Sequence, residues 1–294
     1  MKFILGPMRL PFLILGPACV FLALAAAIWT GRIINPWYAI LCFIGGVMAH
    51  ISVNTLNEYA DSKSGLDLKT TRTPFSGGSG TLNQDPTKAS FALGTGLISA
   101  LICIGIGIFF FSLWGWQILV LGFLGLFIIF TYTPWLNRQP ILCLIAPGLG
   151  FGTLMVNGTT FALTGSFTWT SFLISFIPFF LVSNLLLLNQ FPDAEADHIV
   201  GRRHFPILIG RKASAVIFIT FLVLTYLTII LGVLLHLTPI WTLLGLGTLV
   251  IAIPSAKGAF LHADELPKLI PSLGQNVLIN LITPVLIGIG FLLG

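Results

Sequence analysis

Apolar runs of about 20 residues, the length a helix needs to cross the core of a bilayer, recur nine times along this chain and leave little else over. They fall at roughly 11–30, 37–57, 89–113, 116–135, 140–163, 168–190, 212–236, 239–256 and 273–293. A backbone surrounded by lipid must satisfy its own hydrogen bonds, so such runs are expected as helices. The expected fold is all-α and integral to the membrane: one transmembrane domain over 1–294, with nine spans around a central cavity. Composition excludes the soluble alternative, since 56% of residues are hydrophobic and 8% charged, against roughly 25% charged in soluble domains. The net charge of +5 has no basic, aromatic-interleaved patch behind it. Membrane lipid is therefore an expected partner and nucleic acid is not. Cys19, Cys42, Cys103 and Cys143 all sit inside apolar runs, and no CxxC occurs, so they read as packed thiols. Lys2 and Arg9 ahead of the first run imitate a signal peptide, but that run is too long for an ordinary h-region.

Charge sets the orientation. With nine spans, the amino-terminal tail and the loops after the second, fourth, sixth and eighth spans share one side. That side holds every Lys and Arg except Arg32, and all nine acidic residues. Lys and Arg mark the cytoplasmic side, so the expected location is the cell (inner) membrane, multi-pass, with the amino terminus and the acidic loops cytoplasmic. Trp29, Trp37, Trp114, Trp116, Trp169 and Trp241 fall at the opposite ends, as an interfacial belt would. Two long polar breaks, at 58–88 and 191–211, stand in equivalent places in the two halves. This suggests a four-helix unit used twice, with a ninth helix added.

Those two breaks carry the chemistry. A cluster straddles the start of each: Asn57-Glu58-Tyr59-Ala60-Asp61, followed by Asp67, at the first, and Asn189-Gln190-Phe191-Pro192-Asp193, followed by Glu195 and Asp197, at the second. Asn, an aromatic residue and Asp recur at one spacing. Asn57 and Asp61, and likewise Asp193 and Asp197, are four residues apart, which puts each pair on one helix face if the helices continue through them. Mg²⁺ takes hard oxygen ligands, usually one or two carboxylates completed by substrate phosphate oxygens and water. Matching carboxylate groups on two facing helices therefore point to Mg²⁺ holding a diphosphate, whose charge the metal neutralises. Glu195 lies two residues from both Asp193 and Asp197 and should point away; Glu58 is open to either reading.

Basic residues follow each cluster: Lys63, Lys69 and Arg72 after the first, Arg202, Arg203 and Lys212 after the second. Lys63, Arg72 and Arg202 are the candidates for diphosphate contact. The stretch Thr73-Pro74-Phe75-Ser76-Gly77-Gly78-Ser79-Gly80 is a candidate anion-binding turn or a flexible lid. It lacks the ending of a P-loop. Tyr132 and Trp135, together with some of the 25 Phe, offer aromatic faces to a carbocation. His50, Asn54 and Asn157 are polar groups inside apolar runs and should face the bundle interior. Gly148-Leu149-Gly150-Phe151-Gly152 suits close helix packing.

These motifs resemble those of the UbiA superfamily of membrane-embedded prenyltransferases, over nearly the whole chain. The branch most alike in pattern is the menaquinone type, which prenylates 1,4-dihydroxy-2-naphthoate. Its first signature, N-D-Y-x-D-x-x-x-G-x-D, is matched by Asn57, Tyr59, Asp61, Gly65 and Asp67, with Glu58 in place of Asp. Its second, N-x-x-x-D-x-x-x-D-x-x-x-G-K/R, is matched by Asn189, Asp193, Asp197, Gly201 and Arg202, and Ile207-Leu208-Ile209-Gly210 resembles its tail. Tyr132-Thr133-Pro134 and Arg138 resemble a third stretch, although the Gly-Leu-Gly-Glu expected with it is not intact. The resemblance implies a nine-helix bundle that ionises a polyprenyl diphosphate with Mg²⁺ and alkylates an aromatic acceptor in quinone biosynthesis. It implies metal ligands at Asp61, Asp67, Asp193 and Asp197, and substrate contacts at Asn57, Lys63, Arg72, Tyr132, Asn189 and Arg202. The same chemistry on 4-hydroxybenzoate, homogentisate, haem or a glycerol phosphate lipid is the alternative. A cation-coupled transporter is a more distant one, because transporter carboxylates usually lie near the bilayer midplane.

Overall fold

The computed structural model describes residues 1–66, 70 and 72–294. Among them there is no strand. The helices that matter here are α1 (Lys2–Met8), α2 (Leu15–Trp29), α3 (Pro36–Ser64), α4 (Ala89–Trp114), α5 (Trp116–Thr131), α6 (Pro140–Thr164), α7 (Trp169–Ile199), α8 (Arg211–Leu234), α9 (Ile240–Leu261) and α10 (Leu266–Leu293). Seven of these described helices, α3, α4 and α6 to α10, are long and apolar enough to cross a membrane. The runs at 11–30 and 116–135 are the two that fall outside the seven. The first forms a pair of helical pieces bent by 46° and counts as an eighth span if taken as one. The second yields α5, of 16 residues. The protein is a multi-pass, all-helical membrane protein.

Local signals explain the ends. Asn35 caps α3 by accepting a hydrogen bond from the Trp37 amide at 2.9 Å, with Pro36 in the first turn. Thr168 and Ser171 form a capping box at the start of α7. Gly65 closes α3 in the left-handed region, at φ 71°. Trp37, Trp116, Trp169 and Trp241 stand at or near the starts of α3, α5, α7 and α9, and all four are exposed.

Helix α7 is the axis of the bundle. Two thirds (67%) of its apolar window is buried, against 22% for the span that contains α4, which is left to face lipid. Around α7 lies one continuous core with Leu22, Leu181, Leu188, Phe191, Phe218 and Phe291 fully buried. Pro147 removes a helical N–H in α6, which loosens into a π-helical turn at Leu149–Leu154. Gly148 and Gly152 let this turn lie against α7: a Cβ on either would run into the backbone of Phe179.

Both polar clusters turn out to be helical. Hydropathy ends the second and sixth runs at 57 and 190, but α3 continues to Ser64 and α7 to Ile199, through Pro192. Asn57 and Asp61, and Asn189, Asp193 and Asp197, are thus carried near the ends of two long helices.

Candidate active site

Helix α3 supplies Asn57 and Asp61, and α7 supplies Asn189, Asp193 and Asp197. All five border a single polar cavity, together with Tyr132, Asn137, Gln190, Arg202 and His204. The two clusters therefore meet. Arg202, in the turn after α7, stands between them. Its Nη1 donates to Asp197 Oδ1 at 2.8 Å, and its Nη2 is paired with Asp61. Burial disfavours the charged guanidinium, but Asp61 and then Asp197 more than offset this, so the pKa of Arg202 stands above its ordinary value. His204 Nε2 lies 2.9 Å from the other oxygen of Asp197.

The second cluster keeps open valences. Asp193 Oδ2 accepts a hydrogen bond from the Gly77 amide at 3.2 Å. Its Oδ1 is buried without a partner, as is Oδ1 of Asn189 one turn earlier. Buried oxygens of this kind are uncommon, because an unmade hydrogen bond costs about 1–3 kcal/mol. Three carboxylates border the cavity with two guanidiniums, and one of these, Arg9, is already paired with Glu58, so carboxylate is in surplus over free guanidinium. Among the described residues no three of His, Cys, Asp and Glu are grouped to hold one ion. Two unpartnered hard oxygens and a surplus of carboxylate fit Mg²⁺, which needs only one or two protein carboxylates when phosphate oxygens and water complete its shell. Asp193 and Asn189 would hold it from α7, and Asp61 and Asp197 lie within the same cavity.

The polar cavity opens onto an apolar one. Asn57, Tyr132 and Asn189 border both, and beyond them the walls are Phe12, Ile128, Phe151, Met155, Leu185 and Val277. His50 is buried in that second wall, with its ring 4.7 Å from that of Phe151. The geometry offers an anionic group a polar seat at the helix ends and a hydrocarbon tail a greasy chamber below.

The remaining expected residues lie elsewhere. Lys63 is exposed, with its ammonium 5.8 Å from the Tyr59 ring, and does not border the polar cavity. It sits two residues past Asp61 on α3, so the helical turn carries it to another face. Arg72 borders a neighbouring vestibule and donates to the Ser79 carbonyl at 2.6 Å. Asp67 falls outside the described residues. Glu195 points into solvent and pairs with Arg211 at 3.3 Å. Sequence reasoning missed three participants. Arg9, read as a topology signal, binds Glu58 at 3.0 Å and Asn57 at 3.3 Å and borders both cavities. His204 and Asn137 have no periodic relation to either cluster; only the fold brings them in.

The chain matches the UbiA prenyltransferase family over residues 18–266. It is 27% identical over 186 residues to the 1,4-dihydroxy-2-naphthoate octaprenyltransferase of Bacillus subtilis (strain 168), an alignment covering 61% of this chain and 57% of that relative. The fold is similar to the apo structure of a UbiA homologue from Aeropyrum pernix K1, with a TM-score of 0.72, 19% identity and coverage of 96% of this chain and 97% of that one. A UbiA homologue from Archaeoglobus fulgidus bound to GPP and Mg²⁺ is also similar, with a TM-score of 0.60, 13% identity and coverage of 98% and 99%.

Proposed function

We propose, from the premise that this chain belongs to the UbiA prenyltransferase family, that it transfers an isoprenyl group from a polyprenyl diphosphate to an aromatic acceptor, in quinone and specifically menaquinone biosynthesis. The observation that carries this reading is the junction itself. Carboxylates from two matching clusters sit at the mouth of an apolar chamber, with Asn189 Oδ1 and Asp193 Oδ1 unpartnered. The relative named for 1,4-dihydroxy-2-naphthoate favours an aromatic acceptor, and the homologue that carries GPP and Mg²⁺ favours this donor and metal.

In this reading Asp61, Asp193 and Asp197, with Asp67, are the metal ligands, supported by Asn57 and Asn189. Bound Mg²⁺ would neutralise the diphosphate and improve it as a leaving group. Arg202 contributes a charge that stays positive at any working pH and can pair bidentately with phosphate oxygens. Lys63 and Arg72 add longer-range positive potential near the entrance. The apolar walls hold the prenyl chain and exclude water. When the donor's carbon–oxygen bond breaks, its electron pair leaves with the diphosphate, and the allylic cation is left facing the ring of Tyr132. A ring carbon of the acceptor supplies the electrons of the new carbon–carbon bond and then sheds its own substituent, as a proton passed to the diphosphate or water, so that the ring regains aromaticity. The site opens to the cytoplasmic side of the cell (inner) membrane.

The test is diphosphate release from geranylgeranyl or longer donors by purified protein in lipid with Mg²⁺. Asp61→Ala and Asp193→Ala should each abolish it. Release at the wild-type rate by either variant would overturn the assignment.

A further inference from the structure

Glu58 is 1% exposed and lies on α3 between Asn57 and Asp61, yet it does not border the polar cavity that they line. Both of its oxygens are already engaged. Oε1 accepts from the Ser79 amide at 2.5 Å and from Arg9 at 3.0 Å, and Oε2 accepts from the Ser79 hydroxyl at 3.0 Å. A metal at Glu58 would have to break charge-assisted bonds that are among the strongest a carboxylate makes. The segment it holds is the glycine-rich stretch. Gly77, Gly78 and Gly80 have φ between 66° and 77°, the left-handed region that side chains rarely adopt. That curl turns successive amides toward anions, as in a nest. Here the amide of Ser79 meets Glu58 of the first cluster, and the amide of Gly77 meets Asp193 of the second. The loop therefore spans the two clusters, tied to one carboxylate of each. The Gly77 bond occupies Oδ2 of Asp193, and the unpartnered oxygen is Oδ1.

We propose that Glu58 is a positioning residue that anchors the glycine-rich loop: with Arg9 it fixes Ser79, and through the loop it holds Gly77 against Asp193 so that one oxygen of that carboxylate is left for ligand. The inference deepens the reading of the same site as a diphosphate site and rests on it. Glu58 stands where the resembled signature has Asp, and its additional methylene gives the carboxylate the reach to the loop. Ser76, Gly77 and Gly78 of the same loop also border the polar cavity.

Two measurements on the full chain in lipid nanodiscs test this. The first is hydrogen exchange at the amides of the 72–80 segment, with no substrate present. The second is a Mg²⁺ titration of diphosphate release, with donor KM measured at saturating metal. Glu58→Gln should speed exchange across the loop and raise donor KM by about tenfold, the scale of one charge-assisted hydrogen bond. It should raise the Mg²⁺ half-saturation point by less than Asp193→Asn does, because the Asp193 carboxylate is kept and only its loop contact loosens. Ser79→Ala, which keeps the amide and loses the hydroxyl, should move both loop readouts the same way by less. The double variant should be no worse than Glu58→Gln, because both act through one contact. Glu58→Gln raising the Mg²⁺ requirement as far as Asp193→Asn does, with loop exchange unchanged, would overturn the proposal. So would Ser79→Ala leaving both loop exchange and donor KM at wild-type values, a result that does not depend on Glu58→Gln folding. Exchange needs no turnover, so it decides the anchoring even if the wild type releases no diphosphate, a result that would count instead against prenyl transfer.

Discussion

The ends of α3 and α7 share a spelling and differ in how their polar atoms are used. On α3, Asn57 is held at both ends of its amide, by Arg9 at 3.3 Å and by Thr133 at 3.1 Å. Glu58 is saturated and Asp61 is paired with Arg202. On α7, Asn189 and Asp193 each keep a buried oxygen without a partner. The α3 end is therefore largely satisfied by protein, whereas on α7 only Asp197, engaged by Arg202 and His204, is, and Asn189 and Asp193 are not. Identical letters at identical spacing do not make equivalent sites. The asymmetry comes from what lies against each pair: Arg9 of the amino-terminal segment against Asn57 and Glu58, and the glycine-rich loop, through the Gly77 amide, against Asp193.

If that asymmetry is functional, Asp193 is the more demanding position for metal. Asp193→Asn is expected to lower diphosphate release by about a hundredfold and to raise the Mg²⁺ needed for half-maximal rate. Asp61→Asn also loses activity, but with a smaller shift in Mg²⁺ requirement. Metal titrations of both variants check this. Equal shifts would mean that the two halves bind metal alike, and the comparison drawn above would fail.

Much of this was legible in the sequence, and what was not has physical reasons. Hydropathy located the helices because lipid demands apolar length, and the repeated Asn and Asp spacing located the cavity. The ends of α3 and α7 were misjudged, since a polar turn lowers hydropathy without unwinding the helix. The i, i+4 spacing of Asn57 and Asp61 was the better guide, because it has meaning only on a continued helix. Arg9 was hidden by a stronger use of the same residue type, since any cation at the end of an apolar run looks like a topology signal. Its placement depends on its own left-handed φ of 54° and the break it makes after α1, neither of which hydropathy encodes. His204 and Asn137 are brought in by tertiary contacts that no local pattern records.

The bridge between the halves sharpens the comparison through stability. Arg202 pairs Asp61 of α3 with Asp197 of α7 in a largely buried setting. Arg202→Met leaves two buried carboxylates without their shared cation, and breaking a buried pair in this way typically costs about 3–5 kcal/mol. The variant should unfold at a lower temperature in detergent, and added Mg²⁺ should recover part of the loss by neutralising the same carboxylates. No recovery would mean that the metal does not sit beside Asp61 and Asp197.

The smallest effect is expected at Lys63, which by sequence looked as strong a diphosphate contact as Arg202. Lys63 comes two residues after Asp61 and Arg202 five after Asp197, yet Arg202 is folded back between the helices while Lys63 stays exposed over Tyr59. An exposed charge acts on the site through water and is screened over about 8 Å at physiological salt. Lys63→Ala should therefore change donor KM by less than about twofold at physiological salt, and somewhat more at low salt, where screening relaxes. A tenfold rise in KM that persists at high salt would mean that Lys63 reaches the diphosphate directly when substrate is bound. In that case the first cluster would supply its own cation, and the two helix ends would be more alike than their resting contacts suggest.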